Sequence, residues 1–115
     1  PNFQLTLISA HLHKKGGLKE FLDHYVFNEP LFPVKLHQVP AHLKYIDCNP
    51  IENLELAPNC CLKIAQLNHP GDGFGYRLEC SGTTISYISD TEHIPGKDDQ
   101  NILKLMQNAN LAIYD

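Results

Sequence analysis

The sequence has 115 residues, 43% of them hydrophobic, and a formal net charge of −4, enough for one domain with one modest core. No apolar run reaches bilayer length and no signal-peptide pattern is present, which predicts a soluble, cytoplasmic protein without a membrane partner. Its eight lysines and single arginine are scattered, which excludes the basic patch that nucleic-acid phosphates require.

FQLTLISA (3–10) alternates and is rich in β-formers, so it predicts a strand. After Gly16-Gly17, LKEFLDHYVF places Leu18, Phe21, Leu22, Tyr25 and Val26 at helical spacing. They form one apolar stripe about 100° wide, expected to be buried. NEPLFPVKLHQVPAH has three prolines and predicts an ordered loop held down by Leu31, Phe32 and Val34. LKYIDC, NLELA and CLKIAQLN read as short strands, with Pro58-Asn59 as the turn between the last two.

GYRLEC and TTISYIS flank Ser81-Gly82 in a hairpin pattern, with Tyr76 and Tyr87 expected in the core or as a cross-strand pair. Asp98 or Asp99 can cap a helix over DQNILKLMQN, with Ile102, Leu103 and Met106 facing inward. LAIYD closes as a strand, and the strand-helix-strand order predicts a parallel crossover. The fold class is therefore mixed α/β (α+β), a mixed sheet with flanking helices. Pro1 and the abrupt end at LAIYD suggest that residues 1–115 are one domain and an incomplete portion of a longer one.

Cys48, Cys60, Cys61 and Cys80 contain no C-x-x-C, and neighbours Cys60 and Cys61 point to opposite faces of a strand. A zinc knuckle is not expected, and reduced thiols are.

Chemistry concentrates in NHPGDGFGYRLECSGTTISYISDTEH (68–93). Pro70 holds His69 in an extended backbone, and glycines at 71, 73 and 75 keep the next loop open. Asp90 follows an alternating strand, where a carboxylate is either functional or an Asx-turn residue. G-D-G-F-G is neither a P-loop nor a dinucleotide fingerprint. Thr91, next to Asp90, can hydrogen-bond its carboxylate or cap the loop. Glu92 and His93 are either partners that orient a ligand residue or an exposed loop pair.

Together with the short helix and NANLAIYD, this stretch resembles the latter half of a metallo-β-lactamase-fold hydrolase. The upstream FNEPLFPVKLHQVPAHLKYID is similar to the phosphodiesterase-like branch of that superfamily. The resemblance implies part of an αββα sandwich in which His69 and Asp90 are metal ligands, the aspartate bridging two ions. It also implies zinc or another divalent first-row metal, two ions in the complete enzyme. Such a pair, about 3.5–4 Å apart, activates water and stabilises a leaving oxygen. The implied substrate is a phosphodiester or another small molecule, and a homo-oligomer is compatible with the reading.

The superfamily signature H-x-H-x-D-H is absent. His11-Leu12-His13 is followed by Lys14 and Lys15 instead of Asp-His, so His11 and His13 read as loop residues leading into the helix. With two ligands where a catalytic zinc takes three plus water, this chain is expected to bind metal weakly or not at all and to be inactive by itself. The alternative is a non-catalytic interaction or binding module that keeps the scaffold and has lost the metal site. A third reading, an unrelated α/β domain, predicts no sheet joining residues 64–69 with 84–90.

Overall fold

The computed structural model describes residues 3–12, 16–49 and 53–115. The fold is mixed α/β, with seven strands and two α-helices among the described residues. It divides into two compact units, Pro1–Asn49 and Pro50–Asp115.

In the first unit, β1 (Gln4–Ser9) and β2 (His42–Asp47) pair in parallel, from Gln4 opposite His42 to Ser9 opposite Asp47. Between them runs α1 (Leu18–Phe21), continued by a π-helical turn over Leu22–Val26. Asp47 Oδ1 accepts the backbone N–H of Leu18 at 2.8 Å, tying the helix start to the end of β2. That approach needs the glycine at 17, where φ is +95° and a Cβ would lie 2.7 Å from Asp47 Oδ2.

Two expectations for this unit are corrected. The stripe over 18–26 is not buried: Leu18, Phe21, Leu22 and Val26 are half-buried and Tyr25 is exposed. The π-helical turn closes an i→i+5 bond, from the Phe27 N–H to the Leu22 carbonyl, and in that wider turn positions three apart, such as Leu22 and Tyr25, swing off one line. The proline-rich loop is not held by Leu31, Phe32 and Val34, which are 75%, 45% and 39% exposed. Its buried residue is Leu36, in a single 3₁₀ turn at Leu36–Gln38, while Phe32 only sets its edge against Phe27. Prolines fix the course of this loop, and that course turns Leu36 inward.

The second unit is a five-stranded mixed sheet in the order β3 (Asn53–Ala57), β4 (Cys60–Leu67), β5 (Gly73–Cys80), β6 (Thr83–Ile88), β7 (Leu111–Tyr114). The first four strands form an antiparallel meander, and β7 joins β6 in parallel after the helix α2 (Gln100–Met106). Sheet pairing therefore joins β4 and β6 through β5, against the unrelated-domain reading. Ser81 and Gly82 both have positive φ, 50° and 82°, the signature of a two-residue type I′ turn. Tyr76 and Tyr87 stand directly opposite each other, as expected of a cross-strand pair.

Asp99 caps α2, its Oδ1 accepting from the backbone N–H of Asn101 and Ile102 at 2.8 and 3.2 Å. Ile102 and Leu105 face inward with Leu67 and Ile88, and Met106 packs at the margin. Leu103, expected inside, is 51% exposed. It lies about 100° around the helix from Ile102, whereas Leu105 lies one turn on. Gly75 admits Leu105, since a Cβ there would come within 2.6 Å of Leu105 Cδ1. Arg77 then closes the helix end, donating from one guanidinium nitrogen to the carbonyls of Leu105 and Gln107, both at 2.7 Å.

Strand alternation gives this sheet two apolar faces. One, with Leu67, Gly75 and Ile88, takes α2. The other carries Leu62, Ile64, Tyr76, Leu78, Ile85 and Tyr87, and from β7 Leu111 and Ile113. Of these, Ile85, Tyr87, Leu111 and Ile113 remain exposed.

Candidate functional site

Strand direction determines what meets at each end of the sheet. β4, β6 and β7 run the same way and β5 runs against them. The C-terminal ends of β4, β6 and β7 thus share one end with the start of β5. His69 lies two residues beyond Leu67, and Asp90 two beyond Ile88, so both residues sit at that end, one on each side of Gly73. A Cβ at Gly73 would lie 3.1 Å from His69 Cβ and 3.6 Å from the Asp90 carbonyl oxygen, so glycine there lets the two loops approach.

Both residues are exposed. Asp90 has φ of 56°, a left-handed conformation that Asp and Asn tolerate better than other side-chain-bearing residues. The His69 turn is closed by Asp72 N–H donating to the His69 carbonyl at 3.2 Å, and Gln66 Nε2 holds Asp72 Oδ1 at 2.9 Å.

The loops after β4 and β6 are laced together one residue before His69 and two residues after Asp90. Glu92 N–H donates to the Asn68 carbonyl at 2.7 Å, and Asn68 Nδ2 donates back to the Glu92 carbonyl at 2.8 Å. Asn101, in α2, donates from Nδ2 to the Gln66 carbonyl at 2.8 Å, which ties the helix start to the same end. Beside these loops lies a cavity of about 370 Å³ lined by Asn68, Glu92, His93, Lys97, Asp99 and Asn101 among others. Neither His69 nor Asp90 lines it.

His93 pairs with Tyr114, whose hydroxyl lies 2.5 Å from His93 Nε2 with the rings stacked at 6.0 Å and 11°. Thr91 Oγ1 is buried and makes no hydrogen bond among the described residues, to the Asp90 carboxylate or elsewhere. Of the upstream histidines, His11 lies in the bend after β1, as a loop residue, and His13 falls outside the described residues. Sequence reasoning misses Asn68, Asn101 and Tyr114. The signal for Tyr114 lies in LAIYD, whose parallel pairing sets Tyr114 opposite Ile88 and so beside the Asp90 loop.

An imidazole and a carboxylate are donors that suit zinc. Two of them fall short of a catalytic site, and the described residues contain no group of three or more His, Cys, Asp or Glu placed to hold a metal ion. No helix among the described residues is long and apolar enough to cross a membrane.

No protein-family description matches the sequence, and no curated protein matches it. Among solved structures the chain is similar to unliganded yeast PDE1, with a TM-score of 0.55 and 18% identity. The match covers 88% of this chain and 30% of that one. The chain thus spans under a third of the length of yeast PDE1, and at this identity the likeness is one of fold.

Proposed function

We propose that the chain is a portion of a metal-dependent phosphodiester hydrolase of the metallo-β-lactamase fold, contributing His69 and Asp90 to a two-metal zinc-type centre. The observation that carries this reading is the parallel course of β4 and β6, which sets an imidazole and a carboxylate at one sheet end around Gly73. Ligand sites outside the carboxyl ends of parallel strands are a general feature of α/β sheets.

Two further observations support it. A sheet with one helix-covered face and a second apolar face is what one half of an αββα sandwich requires. The fold likeness to a yeast phosphodiesterase favours the phosphodiester as substrate. Both units then belong to one incomplete domain, and the remaining ligands come from sequence outside this chain.

A second reading, a scaffold without catalysis, draws on the lack of a three-donor cluster among the described residues. The two readings separate in one experiment: zinc titration by calorimetry and hydrolysis of an aryl phosphodiester, on this chain and on the full open reading frame. The expected result is weak or no zinc binding here, with stoichiometric zinc and turnover in the full protein. There, His69→Ala and Asp90→Asn should each lower turnover by more than the roughly 10–100-fold typical of losing an outer hydrogen-bond partner of a metal ligand. Tight stoichiometric zinc in the 115-residue chain would overturn the ligand count. A full protein that neither binds zinc nor hydrolyses the ester would overturn the enzyme reading and leave the scaffold one.

A further inference from the structure

The far end of the same sheet carries a different chemistry. Cys60 opens β4 and Cys80 closes β5, and the two stand directly opposite each other in the antiparallel ladder. Just outside them, Ser81 N–H donates to the Asn59 carbonyl at 2.9 Å. That bond places Cys60 and Cys80 at a non-hydrogen-bonded pair, where Cα atoms approach to about 4.5 Å and side chains are closest. The separation lies within the range of about 4.4–6.8 Å that a disulfide spans without moving the backbone.

The side chains already interact. A hydrogen bond with the Cys80 thiol, followed by burial and the charges of Cys80 and Cys61, pushes the Cys60 thiol above its ordinary value. Both cysteines are half-buried and line an open hollow with Asn59, Ser81 and Thr83, so a small reagent reaches them. The other two are differently placed. Cys61 also borders the hollow but its side chain is on the opposite face of the strand, across from Glu79, and Cys48 is buried in the first unit with its thiol against the Ser9 carbonyl.

We propose that Cys60 and Cys80 form a vicinal dithiol site that closes into a reversible cross-strand disulfide on exchange with a low-molecular-weight disulfide. One cysteine, deprotonated to water, attacks a sulfur of the small disulfide RSSR, giving a mixed disulfide and releasing RS⁻. The second thiolate attacks the protein sulfur of that mixed disulfide, forming the Cys60–Cys80 bond and releasing the second RS⁻. Two protein thiols are oxidised, RSSR takes the two electrons, and two RSH result after protonation. A disulfide that opens onto this hollow is within reach of a dithiol, which returns it to the two thiols. The site lies at the opposite sheet end from His69 and Asp90, so it stands whether or not those residues bind metal.

The test uses the 115-residue chain with oxidised glutathione as oxidant and phenylarsine oxide as an independent dithiol probe. Under native conditions, non-reducing peptide mapping should show a Cys60–Cys80 cross-link that dithiothreitol reverses, and free thiols should fall from four to two. Phenylarsine oxide should bind one per chain and protect both cysteines from alkylation. Cys61→Ser should keep both properties, and Cys60→Ser and Cys80→Ser should lose both. Stable glutathione adducts on Cys60 and Cys80 without a cross-link would overturn the proposal. So would a cross-link running through Cys61, or arsenical binding that survives Cys80→Ser.

Discussion

Replacing Ile88 or Leu105 by alanine is expected to lower the stability of the chain by about 2–5 kcal/mol, the range for large-to-small changes in a packed core. Ile88 is fully buried and Leu105 is 4% exposed. Both pack at Gly75, where a Cβ would lie 2.6 Å from Leu105 Cδ1 and 3.4 Å from Ile88 Cγ1. Neither vacated space is easily refilled, because the backbone of β5 already sits against these side chains. Leu103→Ala, on the same helix but exposed, should stay within about 0.5 kcal/mol. Urea unfolding of the three variants measures this. A Leu103 effect equal to that of Leu105 would mean that the helix docks through a different face.

The second large effect is expected at Arg77. Its guanidinium binds the carbonyls of Leu105 and Gln107 at the end of α2 and, through Nε, Glu79 Oε1 at 2.7 Å. The side chain is only 12% exposed. Hydrogen bonds to a charged donor contribute about 1.5–3 kcal/mol, so Arg77→Met should cost that order while keeping the apolar stem. The same change alters the acid limb of stability. Hydrogen bonds from Lys63 first and Arg77 second hold Glu79 below its ordinary value of 4.5.

A carboxyl lowered on folding stabilises at pH above its unfolded value, and that contribution is lost as pH falls through the lowered folded value. As pH falls below the ordinary Glu value of 4.5, unfolding free energy should therefore fall less steeply in Glu79→Gln, with Arg77→Met in between because Lys63 remains. Added salt should shrink the Lys63 share, since that pair is 40% and 33% exposed. An acid limb unchanged in Glu79→Gln would show that other carboxylates set it.

Much of this fold is legible because period-2 alternation is a local property. TTISYIS, GYRLEC and CLKIAQLN each declare a strand within a few residues, and Ser81-Gly82 and Pro58-Asn59 mark where each hairpin turns. Asp99 is legible as a cap for the same reason. What escapes is which apolar side chain finds a partner. Leu31, Phe32 and Leu36 are equally hydrophobic as letters, and the course of a proline-rich loop chooses Leu36. In α2 the sequence reading takes Leu103 inward, and an absent side chain on another strand, at Gly75, makes room for Leu105 instead.

At the candidate site the strand ends are readable but their lacing is not. The Asn68–Glu92 and His93–Tyr114 pairs join residues 24 and 21 positions apart, and no short motif records them. The metal reading rests on His69 and Asp90 sharing a sheet end, which their places after two strands and the family resemblance foretell; Thr91 Oγ1 makes no hydrogen bond among the described residues.

The parallel seam between β6 and β7 has a consequence for how the chain acquires its structure. From β3 to β6 each pairing joins consecutive strands through a short connection, so these contacts form at little loop-closure entropy. The seam instead matches Ile85 with Leu111, and the intervening chain must first wind α2 and set it on the sheet. The meander is thus expected to nucleate and β7 to dock last. Pulsed hydrogen exchange during refolding would show it, with amides of β5 and β6 protected before those of β7; the reverse order would contradict it. Until β7 docks, the outer edge of β6 is an open row of N–H and C=O groups beside exposed Ile85 and Tyr87. The chain's period of greatest exposure to self-association is therefore the interval between completing the meander and closing that seam.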